Sequence, residues 1–477
     1  MAKRALVITS RVLTGVIGLT VAAATITTAA LLPLPTLERT PQSVSVTPQP
    51  AARELVCPGA VLQLGDTGGQ NASVASAIGQ PVMTIATSAG AYDTASLRQA
   101  DAAPDSAGAA LLVTAPASAE NALSIAGAQY QAVDRGDYRG LAAAACAQPS
   151  SDTWLVGGST AVGRTTLLTL ANPGAVDSTA AIELFSSDGV VEASGLTGIL
   201  VPAKGQRVIS LAGFGPGLGS LALHVTSRGG PVTANLQESI VRGIEPGGVD
   251  IVGATAAPNT LAVIPGVVIL ASEQVAGRLG EPGFDDVDAE LRVYVPGTEP
   301  AQVRVNVIPE LETLAGASFD LQFDPGVVTD VPIDGLVDGS YSVVVESSVP
   351  IVTAMRASTV AAADVGTVLA GATDVAWFAA ASELSDTAFA TIASGPGTIL
   401  HFVNPGDTAA TVTVGGQSVA VPAGASVTVA ATGGESLAIE GAAGLFASVS
   451  LQAPGRLASY LVSSAASSEA PLTIYPG

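Results

Sequence analysis

Positive charge is scarce in this chain of 477 residues: 18 Lys and Arg stand against 40 Asp and Glu, a formal net charge of −22. Lysine occurs only as Lys3 and Lys204. Neutralising a phosphate backbone takes Lys and Arg, so nucleic acid is excluded as a partner. Histidine and cysteine occur twice each. That is too few for a His-based catalytic site or a metal centre, which need several ligands or a base with its partner. The sequence therefore predicts no enzyme, no cofactor and no catalytic or metal-binding residue. Aromatic residues make up only 4%, so cores must be built from Val, Ile, Leu and Ala.

What is abundant is small and apolar. Hydrophobic residues reach 48% and charged residues only 12%. At ~100–200 residues per domain, the length holds two to four domains. Lys3, Arg4 and Arg11 precede an uncharged run from Val12 to Leu32. As a helix this run spans ~30 Å, the thickness of a bilayer core. The cations ahead of it predict a cytoplasmic N-terminus with the remainder exported. Residues 1–32 are thus expected to be a basic tip and transmembrane anchor in the lipid bilayer. A cleaved signal peptide, with an apolar core of ~7–15 residues, is the alternative. Pro33, Pro35, Pro41, Pro48 and Pro50 mark 33–53 as an extended stalk or a plain connector.

Cys57 and Cys146 both fall on the exported side, and an even pair in an oxidising compartment predicts one disulfide. A catalytic thiol would need a base beside it, and no histidine lies between Gln63 and Arg207.

The strongest signal is internal repetition. One copy begins at Asp152-Thr-Trp-Leu-Val-Gly-Gly and continues through Leu167-Leu-Thr-Leu-Ala-Asn-Pro-Gly to Leu221-Ala-Leu-His-Val-Thr. Another runs from Ala376-Trp-Phe through Ile399-Leu-His-Phe-Val-Asn-Pro-Gly to Leu445-Phe-Ala-Ser-Val-Ser-Leu. A third lies between them, with Gly339-Ser-Tyr-Ser-Val-Val-Val and Ile351-Val-Thr-Ala-Met-Arg as separate strands. A degenerate fourth surrounds the cysteines. Each alternates apolar and polar residues between Asn-Pro-Gly, Asp-Gly or Pro-Ala-Gly breakers, which is strand patterning. The expected fold is all-β: immunoglobulin-like β-sandwiches in tandem at 54–150, 151–250, 251–365 and 366–477. A four-bladed β-propeller is the alternative.

Individual candidates yield little chemistry. His224 and His401 sit in different repeats and are not expected to converge. Asp285, Asp286, Asp288 and Glu290 form the densest acidic cluster; calcium or carboxylate-based hydrolysis could use such groups, but no twelve-residue calcium loop is present. The glycine-rich stretch from Gly213 to Gly219 leads into a strand and lacks the Lys-Ser/Thr of a phosphate loop. Ser159 lacks the strand–elbow–helix setting of a hydrolase nucleophile. Trp154 and Trp377 fall at matching positions of two repeats and read as core.

The run Cys146-Ala-Gln-Pro-Ser-Ser-Asp-Thr-Trp-Leu-Val-Gly-Gly-Ser-Thr, followed by Leu167-Leu-Thr-Leu-Ala-Asn-Pro-Gly, resembles a family of membrane-anchored exported proteins of actinobacteria. The resemblance implies one N-terminal helix, an uncharacterised ectodomain and an association with envelope glycan machinery. The function expected is that of a non-enzymatic scaffold binding other envelope proteins. Binding of wall glycan and a carboxylate-dependent hydrolase are the alternatives.

Overall fold

The computed structural model describes residues 13–25, 44–46, 52–65, 74–88, 90–99, 108–116, 124–362, 371–464 and 472–474. The chain forms two units, Met1–Gln49 with Glu469–Gly477, and Pro50–Ser468. In the first, residues 13–25 are helical and Val44–Val46 pairs antiparallel with Leu472–Ile474. No helix among the described residues is long and apolar enough to cross a membrane. The rest of the expected anchor, and nearly all of the stalk at 33–53, lie outside the described residues.

Among its described residues the second unit is all-β, with four successive modules of paired sheets and neither a propeller nor a closed barrel. Each module's core takes side chains from both of its sheets, as in a sandwich. In the second module Leu155, Ile182 and Leu223 of one sheet meet Leu168, Leu170 and Leu236 of the other. In the fourth, Val412 and Ile439 meet Leu400, Phe402 and Val449.

Equivalent asparagines show the repeat atom by atom. Asn172 Oδ1 accepts the Gly174 N–H at 2.8 Å, and its Nδ2 donates to the carbonyls of Val176 and Val201. Asn404 does the same with Gly406, Thr408 and Val421. The Asn-Pro-Gly breaker is therefore a buried clamp that satisfies turn backbone.

Two expectations about the third repeat are corrected. Gly339–Val360 is one strand of 22 residues. Its first half pairs with Asn259–Ile269 and Ala301–Pro309, its second with Glu290–Tyr294 and Thr373–Ala379. It passes between the two halves of the module near Pro350, which cannot donate to a ladder. Because Thr373–Ala379 pairs back onto this strand, it closes the third module and does not open the fourth. A boundary at 366 thus cuts through the third module. It follows that Trp154, in an opening strand, and Trp377, in a closing one, are not equivalent.

Every module ends in an antiparallel hairpin. The second strands of these hairpins, here the closing strands, are Tyr138–Ala145, Glu245–Val252, Thr373–Ala379 and Arg456–Leu461. They pack beside one another in a ring, so the four modules meet along one line.

Candidate functional site

No ladder hydrogen bonds join one closing strand to another, which leaves buried backbone N–H groups to be satisfied by side chains. Asp374 does this. Its Oδ2 accepts the N–H of Leu141 at 2.8 Å and of Leu457 at 3.1 Å, and its Oδ1 accepts that of Val249 at 3.2 Å. The adjacent Val375 N–H is a fourth donor. One carboxylate thus takes a donor from every closing strand.

The residues preceding these four donors are Gly140, Gly248, Asp374 itself and Arg456. A Cβ at Gly140 would land on the Asp374 carboxylate, and one at Gly248 would lie 3.0 Å from its Oδ1. Arg456 turns its guanidinium to the Gly140 carbonyl at 3.0 Å. Two glycines therefore make room for one aspartate. Burial pushes the Asp374 carboxyl up to about 8, against the downward pull of its four N–H donors.

Asp250 returns the arrangement. Its Oδ2 accepts the Trp377 N–H at 2.7 Å and its Oδ1 the Ile251 N–H at 2.8 Å. Burial raises its pKa well above the ordinary Asp value, and the nearby Asp374 and Glu238 add to this. The Trp377 indole N–H donates to Glu238 Oε2 at 2.7 Å. Trp377 also faces the Arg292 guanidinium, 4.6 Å from its ring centre.

Farther along the same strands lies a cavity of about 270 Å³. Each closing strand lends it a wall residue: Ala144, Val252, Ala379 and Tyr460, with Trp377 beside them. None of the described residues that line it is charged. Cys146, which lines it too, is bonded to Cys57 as expected.

The acidic cluster is not brought together as a cation site. Asp286 accepts Arg164 Nη2 at 2.7 Å and Arg242 Nη1, and lies 3.8 Å from Arg356 Nη1. Burial pushes the Asp286 carboxyl up, but Arg356, Arg242 and Arg164 together hold it below the usual range. A calcium ion there would have to displace guanidinium groups from both the second and third modules. Asp288 points elsewhere, its pKa raised by burial and by Asp334. Glu290 pairs with Arg356 at 2.6 Å.

The two histidines lie in separate modules. His224 bridges Glu183 at 2.8 Å and Asp152 at 3.2 Å, and stacks on Trp154 with centroids 4.3 Å apart. His401 lies between Glu310, at 2.8 Å from Nδ1, and Ser450 Oγ, at 2.7 Å from Nε2. That order of groups resembles a Ser–His–Glu triad. The side chains of His401 and Glu310 are 0% exposed, however, and Ser450 is fully buried. With Ser426 Oγ donating to Glu310 at 2.9 Å, the group fastens the third module to the fourth. Ser159 donates its N–H to Thr166 Oγ1 at 2.9 Å and its hydroxyl to the Leu218 carbonyl at 3.0 Å. The stretch from Gly213 to Gly219 is a loop before the strand Ala222–Arg228.

Asp374, Asp250 and Glu310 were missed by sequence reasoning. For Asp374 and Asp250 the available signal was an isolated acid inside an apolar strand, a residue seldom buried unless it is partnered; Glu310, just past the strand Ala301–Pro309, gave no such signal.

A protein of this build is a tandem all-β assembly with one central junction and a cavity on the same axis. The chain belongs to a family of unknown function, DUF5719, whose description matches residues 100–442. No curated protein matches it. The crystal structure of Thermotoga maritima 1070 is similar over 26% of this chain and 95% of its own, at 18% identity and a TM-score of 0.19. So loose a likeness says nothing about function.

Proposed function

We propose that this protein is a non-enzymatic scaffold of the cell envelope, anchored by its N-terminal segment, that binds other exported proteins. The observation that carries the reading is the junction at Asp374, where one carboxyl group takes a backbone N–H from each of the four sandwiches. Modules fastened in this way present several sheet edges together, which suits assembly of partners. Ala317–Phe323 is such an edge: it lies at the end of its sheet and, among the described residues, pairs only with Ala301–Pro309. Its exposed Ser318, Asp320 and Gln322 alternate with half-buried Phe319 and Leu321. An extended segment of a partner can add there as a further strand. The cations before Val12–Leu32, and the resemblance to anchored actinobacterial proteins, support placement at the outer face of the membrane.

The test is cross-linking on intact cells, with capture of the full-length protein and mass spectrometry of what accompanies it. A recurrent stoichiometric envelope protein, lost when Leu321→Pro blocks strand addition, supports the reading. Capture of the protein alone, or with glycan only, overturns it.

A further inference from the structure

We propose that the cavity at the meeting point of the four closing strands is a binding site for a small, uncharged molecule with an apolar body. This goes beyond the scaffold reading and does not depend on it.

Charge is the first argument. The chain carries 40 acidic residues, yet none of the described residues lining this cavity is acidic or basic. Burying a charge against such a lining would leave it desolvated and without a counter-ion. Ions, phosphates and charged peptides are therefore disfavoured.

Shape is the second. Ala144, Ala145 and Ala379 put small side chains where the closing strands of the first and third modules face one another. Larger aliphatic residues would close the space. At about 270 Å³, the cavity is near the lower end of the ~300–1,000 Å³ usual for ligand pockets. A short-chain molecule or one of up to about three rings fits that size. The indole of Trp377 supplies an apolar surface, while Gln148, Ser382 and Ser459 supply hydrogen-bonding groups. A mostly apolar wall with a few polar groups is the usual make-up of a small-molecule site.

Pre-organisation is the third. The same strands are fixed by Asp374 and Asp250, and Cys146 on the lining is tied to Cys57. Little ordering remains to oppose binding. Gly253 and Ala254 line the cavity and are exposed, so it opens to solvent beside them.

The probe is N-phenyl-1-naphthylamine, a neutral apolar fluorophore, titrated into the full-length protein. Its sulfonated relative, 1-anilinonaphthalene-8-sulfonate, is the charged control. In Trp154→Phe, Trp377 is the sole tryptophan and reports proximity by energy transfer to the probe. The expected result is saturable binding of about one probe per chain, weakened at least ~10-fold by Ala254→Phe and by the sulfonate. Ala254 is exposed, so Ala254→Phe is expected to leave the melting temperature unchanged. Binding that does not saturate, equal binding by Ala254→Phe, or equal binding of the charged control overturns the proposal. If Trp154→Phe does not fold, Ala254→Phe in the unaltered background decides the matter alone.

Discussion

Asp374 Oδ2 lies 2.8 Å from the amide nitrogen of Leu141, a residue 233 positions earlier in the chain. The same carboxylate holds Val249 and Leu457, so one side chain joins strands from all four modules. Asparagine keeps one acceptor oxygen but turns an NH2 donor towards buried N–H groups. Asp374→Asn is expected to destabilise the protein by about 2–4 kcal/mol. Unfolding is expected to be one transition in the native protein and several in the variant, by denaturant titration with two probes.

The pH dependence of stability carries a sign. The folded-state pKa of Asp374 is raised to about 8, so the native state keeps a proton that the unfolded chain releases. This group's contribution is fullest below the ordinary Asp range and is lost as pH rises towards 8. Its slope is at most ~1.4 kcal/mol per pH unit. Asp250, raised in the same direction, adds to the trend. Melting curves from pH 5 to 8 are expected to fall more steeply for the native protein than for Asp374→Asn. Asp286, held low by three arginines, acts oppositely: its stabilisation is present above the ordinary range and is lost on acidification.

Gly140→Ala places a methyl group on the Asp374 carboxylate, whereas Gly230 has nothing within 4 Å of its would-be Cβ. The first substitution is expected to cost about 2–4 kcal/mol and Gly230→Ala less than ~0.5 kcal/mol. Chemical denaturation of the two variants gives the comparison.

Asp286→Asn leaves the buried Arg242 and Arg356 without the negative charge they share. A loss of about 3–5 kcal/mol is expected, while Asp285→Asn, on an exposed side chain, is expected to be neutral. Calcium is expected to leave the melting temperature of the native protein unmoved. A rise on adding calcium would contradict the assignment of Asp286 to the arginines.

Asn172 and Asn404 make the same three bonds in two modules. Alanine at either is expected to cost about 2 kcal/mol, and the double variant their sum within ~0.5 kcal/mol, since the sites share no partner.

Much of this architecture was legible. Alternating patterns and the Asn-Pro-Gly breakers announced sandwiches, because strand period and turn chemistry are local properties. The Cys57–Cys146 pair followed from the small number of cysteines. What pairwise repetition could not reveal was non-equivalence. Asp374 stands where two other hairpins carry Gly140 and Gly248, so comparing the repeats hides it as an exception. The Trp154–Trp377 match misled because Trp-flanking sequences look alike in an opening and a closing strand, and only pairing to Gly339–Val360 separates them. The acidic loop looked available for a cation because its arginine partners lie 122, 44 and 70 residues away in sequence. The cavity was invisible for the same reason, being assembled from four distant strand ends.

The most direct test of the four-strand junction is amide hydrogen exchange by mass spectrometry on the native protein and Asp374→Asn. Peptides containing Leu141, Val249, Val375 and Leu457 are expected to be protected alike in the native protein and to lose protection together in the variant. Loss confined to the peptide with Val375, the others unchanged, would contradict the junction and leave four independent modules.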